Sequence, residues 1–453
     1  MKAAGLERSV SNPEAPRPVG SRRHRIGFWA VAFAFLNVMA LGTVPSPLYG
    51  LYRTRDHFSV FMITVAFAVY AFGVIGALLL GGHLSDLYGR RKLLLPAVGI
   101  AIVSAIVFVA SKSLPGLLTG RVISGISIGI VASTATAYLA ELHAVGRPHA
   151  APGKAQVTAS AVNVGGLGLG ALTAGLLAQW VARPLTVPYL VFLVALVVAA
   201  IAVAQTPETH EGLKPRPRYR PQRLSVPPNE RGRFFAAGLS TFVAFAANGL
   251  FAGLAGVFLT VTLHHPSVAL TGTVVGASFG ASVAAQFLTE AWSVTRDFEA
   301  GMAAMVIGIG LAVLAVWLHT PSLALFIAGG ALIGAGSGAI FKGAVGTVLS
   351  IAPPERIAES LTGVFLSAFV GISLPVVGAG ITLAHHVSAR VTILGFGIAV
   401  SVGIAVSAIE LLRRPTARSS AAPASVASDA DAGDSRSRHD VREAPTGSTR
   451  HTL

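Results

Sequence analysis

The chain of 453 residues is 53% hydrophobic and only 12% charged, and it carries a formal net charge of +15. Soluble globular proteins contain about 25% charged residues, so this composition excludes an ordinary soluble protein. Cysteine is absent, which excludes disulfides, iron–sulfur clusters and thiolate metal sites. The basic residues lie between apolar runs and at both ends rather than on one folded face, so we expect no nucleic-acid partner.

Twelve apolar runs are long enough to cross a bilayer, whose core of about 30 Å takes about 20 helical residues. Helices are predicted at Ile26–Val44, Phe58–Leu80, Leu93–Ala110, Leu114–Leu142, Ala155–Trp180, Val187–Ala204, Phe234–Leu263, Ser267–Leu288, Gly301–Leu318, Ser322–Ile351, Ile357–Ala384 and Val391–Leu412. The sequence therefore predicts an all-α membrane protein of two six-helix bundles, 26–204 and 234–412, joined by a basic loop at 205–233. The ends, 1–25 and 413–453, are predicted to be tails; the second, which has few large apolar residues, is predicted to be disordered.

Lysine and arginine are distributed unequally between alternate loops. Of the 34 such residues, 27 lie in the two tails, the central loop and the other even-numbered loops. The odd-numbered loops hold only Arg53, Arg55, Lys112, Arg183 and Arg390. Because basic residues are retained on the cytoplasmic side, both termini and the central loop are predicted to be cytoplasmic. Arginine exceeds lysine, as in GC-rich bacterial genomes, so we expect a multi-pass protein of the bacterial inner membrane.

A glycine pattern is repeated in the fourth and tenth predicted helices. The glycines at 120, 125 and 129 correspond, at one constant offset, to those at 329, 334 and 338. Together with the long basic loop in mid-chain, this pattern predicts that the two halves are structural repeats.

The loop after the second helix reads Gly82-His83-Leu84-Ser85-Asp86-Leu87-Tyr88-Gly89-Arg90-Arg91-Lys92. It resembles the signature loop of the major facilitator superfamily, in which glycine, leucine, a small residue and aspartate precede a glycine and two basic residues. The helix-four segment with Arg121, Gly125 and Gly129 resembles the second motif of that family, and the chain resembles its drug:proton antiporter-like branch. Pro207-Glu208-Thr209 after helix six is also common in the family. The resemblance extends from Ile26 to about Leu412.

The fifth predicted helix departs from the antiporter branch. In that branch a glycine–proline pair precedes paired glycines, whereas here Ala171 takes the place of the proline and Ala174 of one glycine. The small residues Gly166, Gly170 and Gly175 remain and predict close helix packing, while the kinking proline is lost. An antiport signature and ordinary packing through glycine both remain open.

The resemblance implies that helices one, four, seven and ten line a central cavity. Each carries one strongly polar residue in an apolar run: Asn37, Arg121, Asn248 and Lys342. Polar groups in hydrocarbon are costly, so all four are candidates for proton coupling or solute contact. The alternatives are that Arg121 bonds backbone carbonyls of a neighbouring helix and that Lys342 extends toward the cytoplasmic end. Asn163 and Gln286 are weaker candidates, because the resemblance implies that helices five and eight are peripheral.

The charges of the predicted cavity indicate the class of solute. A lysine buried without a partner would bind an anion or itself exchange a proton. None of the 19 aspartate and glutamate residues falls in the middle of a predicted helix. The cavity is therefore predicted to be neutral to positive and to take an anionic or neutral solute.

The signature loop is expected to control gating. Asp86 is predicted to face the positive N-terminal end of helix eleven and so to latch the two halves, and Arg90 is predicted to pair with Glu141. The predicted gating set is Gly82, Asp86, Gly89, Arg90, Arg91 and Glu141. The alternative for the basic residues of this loop is that they only set membrane topology.

The sequence therefore predicts a secondary transporter of a small organic solute, with proton-coupled efflux as the first expectation. An organic-anion exchanger or facilitated importer is the alternative, followed by a transporter-like sensor or scaffold. An enzyme is not expected, because the helices contain no nucleophile–base pair, carboxylate pair or metal-ligand cluster. No P-loop motif is present, so ATP is not expected to supply energy directly. The expected partners are the solute, protons and the lipid bilayer around a monomer, with no cofactor and no metal.

Overall fold

The structure is a computed structural model that describes residues 21–81, 84–148, 153–210, 226, 230–353 and 356–412. The predicted C-terminal tail, most of the predicted N-terminal tail and most of the central loop lie outside the described residues, as does Gly82 of the signature loop.

Twelve helices in the described part of the chain are long and apolar enough to span a membrane. They are α1 (Arg22–Asp56), α2 (Val60–Gly81), α3 (Arg90–Ala110), α4 (Leu114–Gly146), α5 (Lys154–Trp180), α6 (Val187–Ala204), α7 (Arg231–Thr262), α8 (Val268–Leu288), α9 (Val294–Trp317), α10 (Leu323–Ile351), α11 (Glu359–Ala384) and α12 (Ala389–Glu410). Each coincides with one predicted helix, so the predicted all-α class with twelve spans is confirmed. We call the ends near loop 82–92 the inner ends, because the charge distribution predicts that they face the cytoplasm, and the opposite ends the outer ends.

Two helix boundaries differ from the predicted ones by more than the small shifts at the other ends: the end of α1 and the start of α9. The first helix does not end at Val44 but continues as a second segment, Pro45–Asp56. Proline is compatible with the start of a helical segment, because the backbone N–H group that it lacks would have no acceptor within the helix there. The ninth begins at Val294 rather than Gly301, and the Ser293 side chain caps its first turn. Because the first turns of α9 are polar, the start of this helix does not coincide with the start of an apolar run. Asp297 consequently lies inside a helix.

The glycine repeat has a counterpart in the packing of the two halves. A Cβ added at these positions would strike a neighbouring helix, so each glycine marks a close approach. Gly125 and Gly129 of α4 lie against the backbone of α2, whereas Gly334 and Gly338 of α10 lie against the backbone of α8. The fourth helix of each half therefore packs on the second helix of that half through corresponding glycines.

The glycines of α5 bring this helix against partners in both halves. Gly166 and Gly170 lie against the backbone of α1, within the N-terminal half. Gly175 lies against Gly272 of α8, at the outer ends of the two halves. Close packing of α5 therefore holds one bundle together and also joins it to the other.

The close approach at Gly166 is expected to make this position intolerant of a methyl group. A Cβ there would lie 2.6 Å from the Leu36 carbonyl oxygen and from Met39 Cβ, whereas a Cβ at Gly165 would meet only Val283, at 3.6 Å. Gly166→Ala is therefore expected to lower the free energy of unfolding by about 1–3 kcal/mol. The control Gly165→Ala is expected to leave it unchanged or raise it, because alanine favours the helix. Thermal unfolding in detergent checks this, and equal midpoints for the two variants would contradict the packing.

Candidate functional site

A cavity of about 390 Å³ lies between the two halves near their inner ends. Helices α4 and α5 line it from the N-terminal half, and α8 to α11 with the segment between α8 and α9 line it from the C-terminal half. Its polar and aromatic lining comprises Thr136, Gln156, Ser160, Asn163, Gln286, Glu290, Trp292, Asp297, Phe341, Lys342 and Phe365. Ligand sites usually measure about 300–1,000 Å³ and combine apolar walls with a few polar groups, so this cavity suits a small polar molecule.

An ion pair between Lys342 of α10 and Asp297 of α9 lies in the cavity wall. The lysine Nζ is 3.1 Å from one carboxylate oxygen and 3.0 Å from the other. It also donates to the backbone carbonyl and hydroxyl of Thr289, next to the end of α8. The Asp297 side chain is 2% exposed and that of Lys342 25% exposed. The lysine thus joins three helices, and its charge offsets the desolvation of the carboxylate.

The prediction of a neutral-to-positive cavity is wrong for this cavity, because the Asp297 carboxylate lies beside Lys342 in its wall. The predicted start of helix nine excluded Asp297, whereas the structure places this carboxylate in the first turn of α9 and buries it. The available sequence signal was Ser293, a capping residue followed within one turn by charged residues. The charges of Lys342 and Asp297 therefore balance each other.

The amide side chains of Asn163 and Gln286 line the same cavity as Lys342. The Gln286 side-chain carbonyl accepts a hydrogen bond from Ser160, which joins α8 to α5 across the two halves. Its amide nitrogen lies 3.4 Å from the Ser282 carbonyl oxygen. The expectation that helices five and eight are peripheral was therefore wrong for this cavity, since both contribute polar groups to its wall.

Arg121 does not line this cavity but lies fully buried among α1, α2 and α4. Its guanidinium donates to the carbonyls of Gly42 in α1 and of Ala66 and Phe67 in α2, the last two at 3.0 and 3.2 Å. The guanidinium carbon also lies 4.5 Å from the centre of the Tyr70 ring. This geometry agrees with the alternative prediction for Arg121, in which its side chain bonds backbone carbonyls of neighbouring helices.

Asn37 and Asn248 also lie away from the cavity. Asn37 donates to the carbonyl of Phe33 one turn earlier, at 2.8 Å. Asn248 of α7 accepts from the Ser278 hydroxyl of α8 at 2.8 Å and donates to Ser337 of α10. Both amides are bonded within helix packing, so Lys342 is the member of the predicted group of four that faces this cavity.

The signature loop forms a polar network at the inner end of the N-terminal half. Arg90, at the start of α3, lies 2.6 Å from the Asp86 carboxylate and 2.8 Å from that of Glu141 in α4. It also donates to the Ser85 hydroxyl at 2.6 Å. The Arg90–Glu141 pair is thus present, whereas the predicted latch between Asp86 and helix eleven remains a prediction.

Glu208, in the segment after α6, caps the N-terminus of α3. Its carboxylate accepts the backbone N–H groups of Arg90 at 2.8 Å and Arg91 at 3.1 Å, where a helix terminus is partially positive. Gly89 precedes this turn with φ of 108°, and a Cβ there would lie 2.9 Å from the His210 carbonyl oxygen. Only glycine fits this conformation and contact without strain. The loop and the Pro207-Glu208-Thr209 segment therefore form one network.

The sequence profile described as "Major Facilitator Superfamily" matches residues 28–239. The match covers just under half of the chain, and over these residues the chain resembles the major facilitator superfamily. Its structure resembles the crystal structure of the nucleoside transporter NupG with a TM-score of 0.64 at 8% identity, covering 85% of this chain and 100% of the other. A bacterial homolog of the human lysosomal transporter Spinster, inward-facing and unoccupied, gives a TM-score of 0.58 at 14% identity, covering 87% and 96%. At these identities the likeness concerns the fold.

Two curated relatives match shorter segments of this chain. A probable glucose transporter of Neurospora crassa is 33% identical over 93 residues, 20% of this chain and 14% of the relative. The arabinose-proton symporter of Bacillus subtilis is 30% identical over 126 residues, 27% of each chain. The matches thus span less than a third of either relative, and they do not confirm the resemblance to the drug:proton antiporter branch.

Arg121→Lys is expected to destabilise the protein, because one ammonium on a flexible chain cannot hold the carbonyls of two helices as a guanidinium does. The midpoint of thermal unfolding in detergent is expected to fall by several degrees, on the order of 2 kcal/mol in stability. Arg183→Lys, at an exposed position between α5 and α6, is the matched control and should be neutral. An unchanged midpoint with lost solute or proton movement would instead indicate a coupling role for Arg121.

Proposed function

We propose that the protein moves a small polar organic solute across the membrane by alternating access, coupled to protons, with the solute bound in the cavity between the halves. The observation that carries this proposal is the position of the cavity. Both halves line it at their inner ends, and its wall contains an ion pair, while α5 and α8 pack against each other at their outer ends through Gly175 and Gly272. Rocking of the two halves would expose such a site to either side in turn.

Co-transport of solute and protons is the form of coupling that this site supports best. The similarity to the arabinose-proton symporter of Bacillus subtilis favours it. Proton-coupled efflux by antiport is the second candidate, favoured by the signature loop and the helix-four motif. The missing proline of helix five weakens antiport, as does the bonding of Arg121 to backbone carbonyls.

Proton movement on addition of solute tests this function. In right-side-out membrane vesicles in weakly buffered medium, a co-transported solute is expected to make the medium more alkaline as protons enter with it. In everted vesicles acidified inside, a solute exported by antiport would instead collapse the gradient reported by a pH-sensitive dye. Arabinose, uridine and gluconate serve as probes, with vesicles lacking the protein as control.

The outcomes of the vesicle experiment separate the candidate functions. Movement of protons on solute addition in one vesicle orientation assigns co-transport or antiport. Counterflow in proteoliposomes without any proton movement would contradict the coupling and indicate an exchanger or facilitator. Neither proton movement nor counterflow with any probe would contradict transport and favour the sensor or scaffold.

The latch proposed for Asp86 predicts that Asp86→Asn favours the inward-facing state. Because the chain contains no cysteine, Ser160→Cys in the cavity wall supplies a single labelling site. Asp86→Asn is expected to speed labelling of this cysteine by a soluble maleimide severalfold. Glu141→Gln is the matched control, since it removes the other carboxylate of Arg90. Equal labelling rates for the two variants would contradict the latch and assign Asp86 to holding Arg90.

A further inference from the structure

We infer that the Lys342–Asp297 pair makes the transported solute a small organic anion that crosses together with one proton. This inference rests on the proposed function and names the substrate class of the same cavity. Its basis is the position of the pair, a cation that faces the cavity and a carboxylate that is buried behind it.

The two side chains differ in their access to the cavity. Lys342 is 25% exposed, so an anion in the cavity can reach its ammonium group, whereas Asp297 is 2% exposed and can be reached by little more than a proton. The backbone carbonyl and hydroxyl of Thr289 also accept bonds from Nζ. These bonds keep the ammonium in place when the carboxylate no longer holds it.

Charge balance in the desolvated wall then couples anion and proton. An anion that bound Lys342 alone would leave Asp297 as a buried carboxylate without a counter-charge. A proton that bound Asp297 alone would leave Lys342 as the uncompensated charge. Either state carries a large desolvation penalty, whereas binding of both restores neutrality. The carboxylate of the solute accepts hydrogen bonds from Lys342, Asp297 takes the proton on one oxygen, and no covalent bond within the solute changes.

The remaining groups of the wall fit a polar anion and leave this balance undisturbed. Besides Lys342 and Asp297, one other titratable residue is found among the described residues that line the cavity. It is Glu290, and its side chain is exposed. Helices α4, α5 and α11 contribute hydroxyl, amide and apolar side chains. Arg296 and Glu299, the neighbouring charges of α9, are exposed and do not line the cavity. Asn163 and Gln286 are placed to bond hydroxyl groups of the solute.

Transport in proteoliposomes tests the inference, with lactate, gluconate and benzoate as anionic probes and arabinose and uridine as uncharged ones. With the wild type, at least one carboxylate is expected to accumulate in response to an acid-outside pH gradient well beyond its level in liposomes without the protein, into which weak acids diffuse unaided. Because anion and proton together carry no charge, a membrane potential set with potassium and valinomycin is expected to leave this accumulation unchanged. This measurement does not depend on the folding of any variant.

Asp297→Asn is expected to reduce accumulation driven by the pH gradient by about tenfold or more while counterflow exchange of the anion persists. The amide leaves Lys342 charged without a carboxylate, so the site still binds the anion but cannot return empty. Glu299→Gln makes the same chemical change at an exposed carboxylate of α9 that does not line the cavity, and it is expected to retain both activities.

Three results would overturn the inference while leaving transport in place. They are proton-coupled uptake of an uncharged probe, accumulation that follows the membrane potential, and undiminished pH-driven accumulation by Asp297→Asn. Absence of movement of every probe with the wild type, in counterflow as well as net uptake, would instead overturn the proposed function and the inference with it.

Discussion

Within a membrane, a polar group that has no contact with water must form its hydrogen bonds or ion pairs within the protein. This constraint determines where the charged side chains of the membrane-spanning helices lie. Arg121 satisfies it with backbone carbonyls of two helices, and Lys342 with a carboxylate and the Thr289 carbonyl. The two cations differ in what surrounds them. Arg121 is enclosed within one half, whereas Lys342 borders a cavity between the halves.

This difference separates structural polar groups from those that could change partners in the proposed transport cycle. Asn248 bonds within the C-terminal half and Arg121 within the N-terminal half, so rocking of the halves leaves their contacts intact. The bond between Ser160 and Gln286 crosses the interface, and the Lys342–Asp297 pair faces the cavity there. In the proposed rocking of the halves, the second group would change environment.

The sequence predicted the parts that depend on local composition. Twelve spans followed from apolar length, and the close packing of Gly166 and Gly170 followed from small residues at helical spacing. The role of Glu208 at the N-terminus of α3 was not predicted, because it joins segments separated by more than a hundred residues. Asp297 was missed because the polar first turns of α9 fall outside any apolar run. The cavity could not be predicted, since it depends on how the two halves meet.

The most direct test of this account is an experimental structure at acidic pH with a transported carboxylate bound. The account predicts that the carboxylate of the solute lies within hydrogen-bond distance of Lys342 Nζ and that Asp297 has moved out of ion-pair distance of the lysine. A solute bound elsewhere, with the Lys342–Asp297 pair intact, would contradict it.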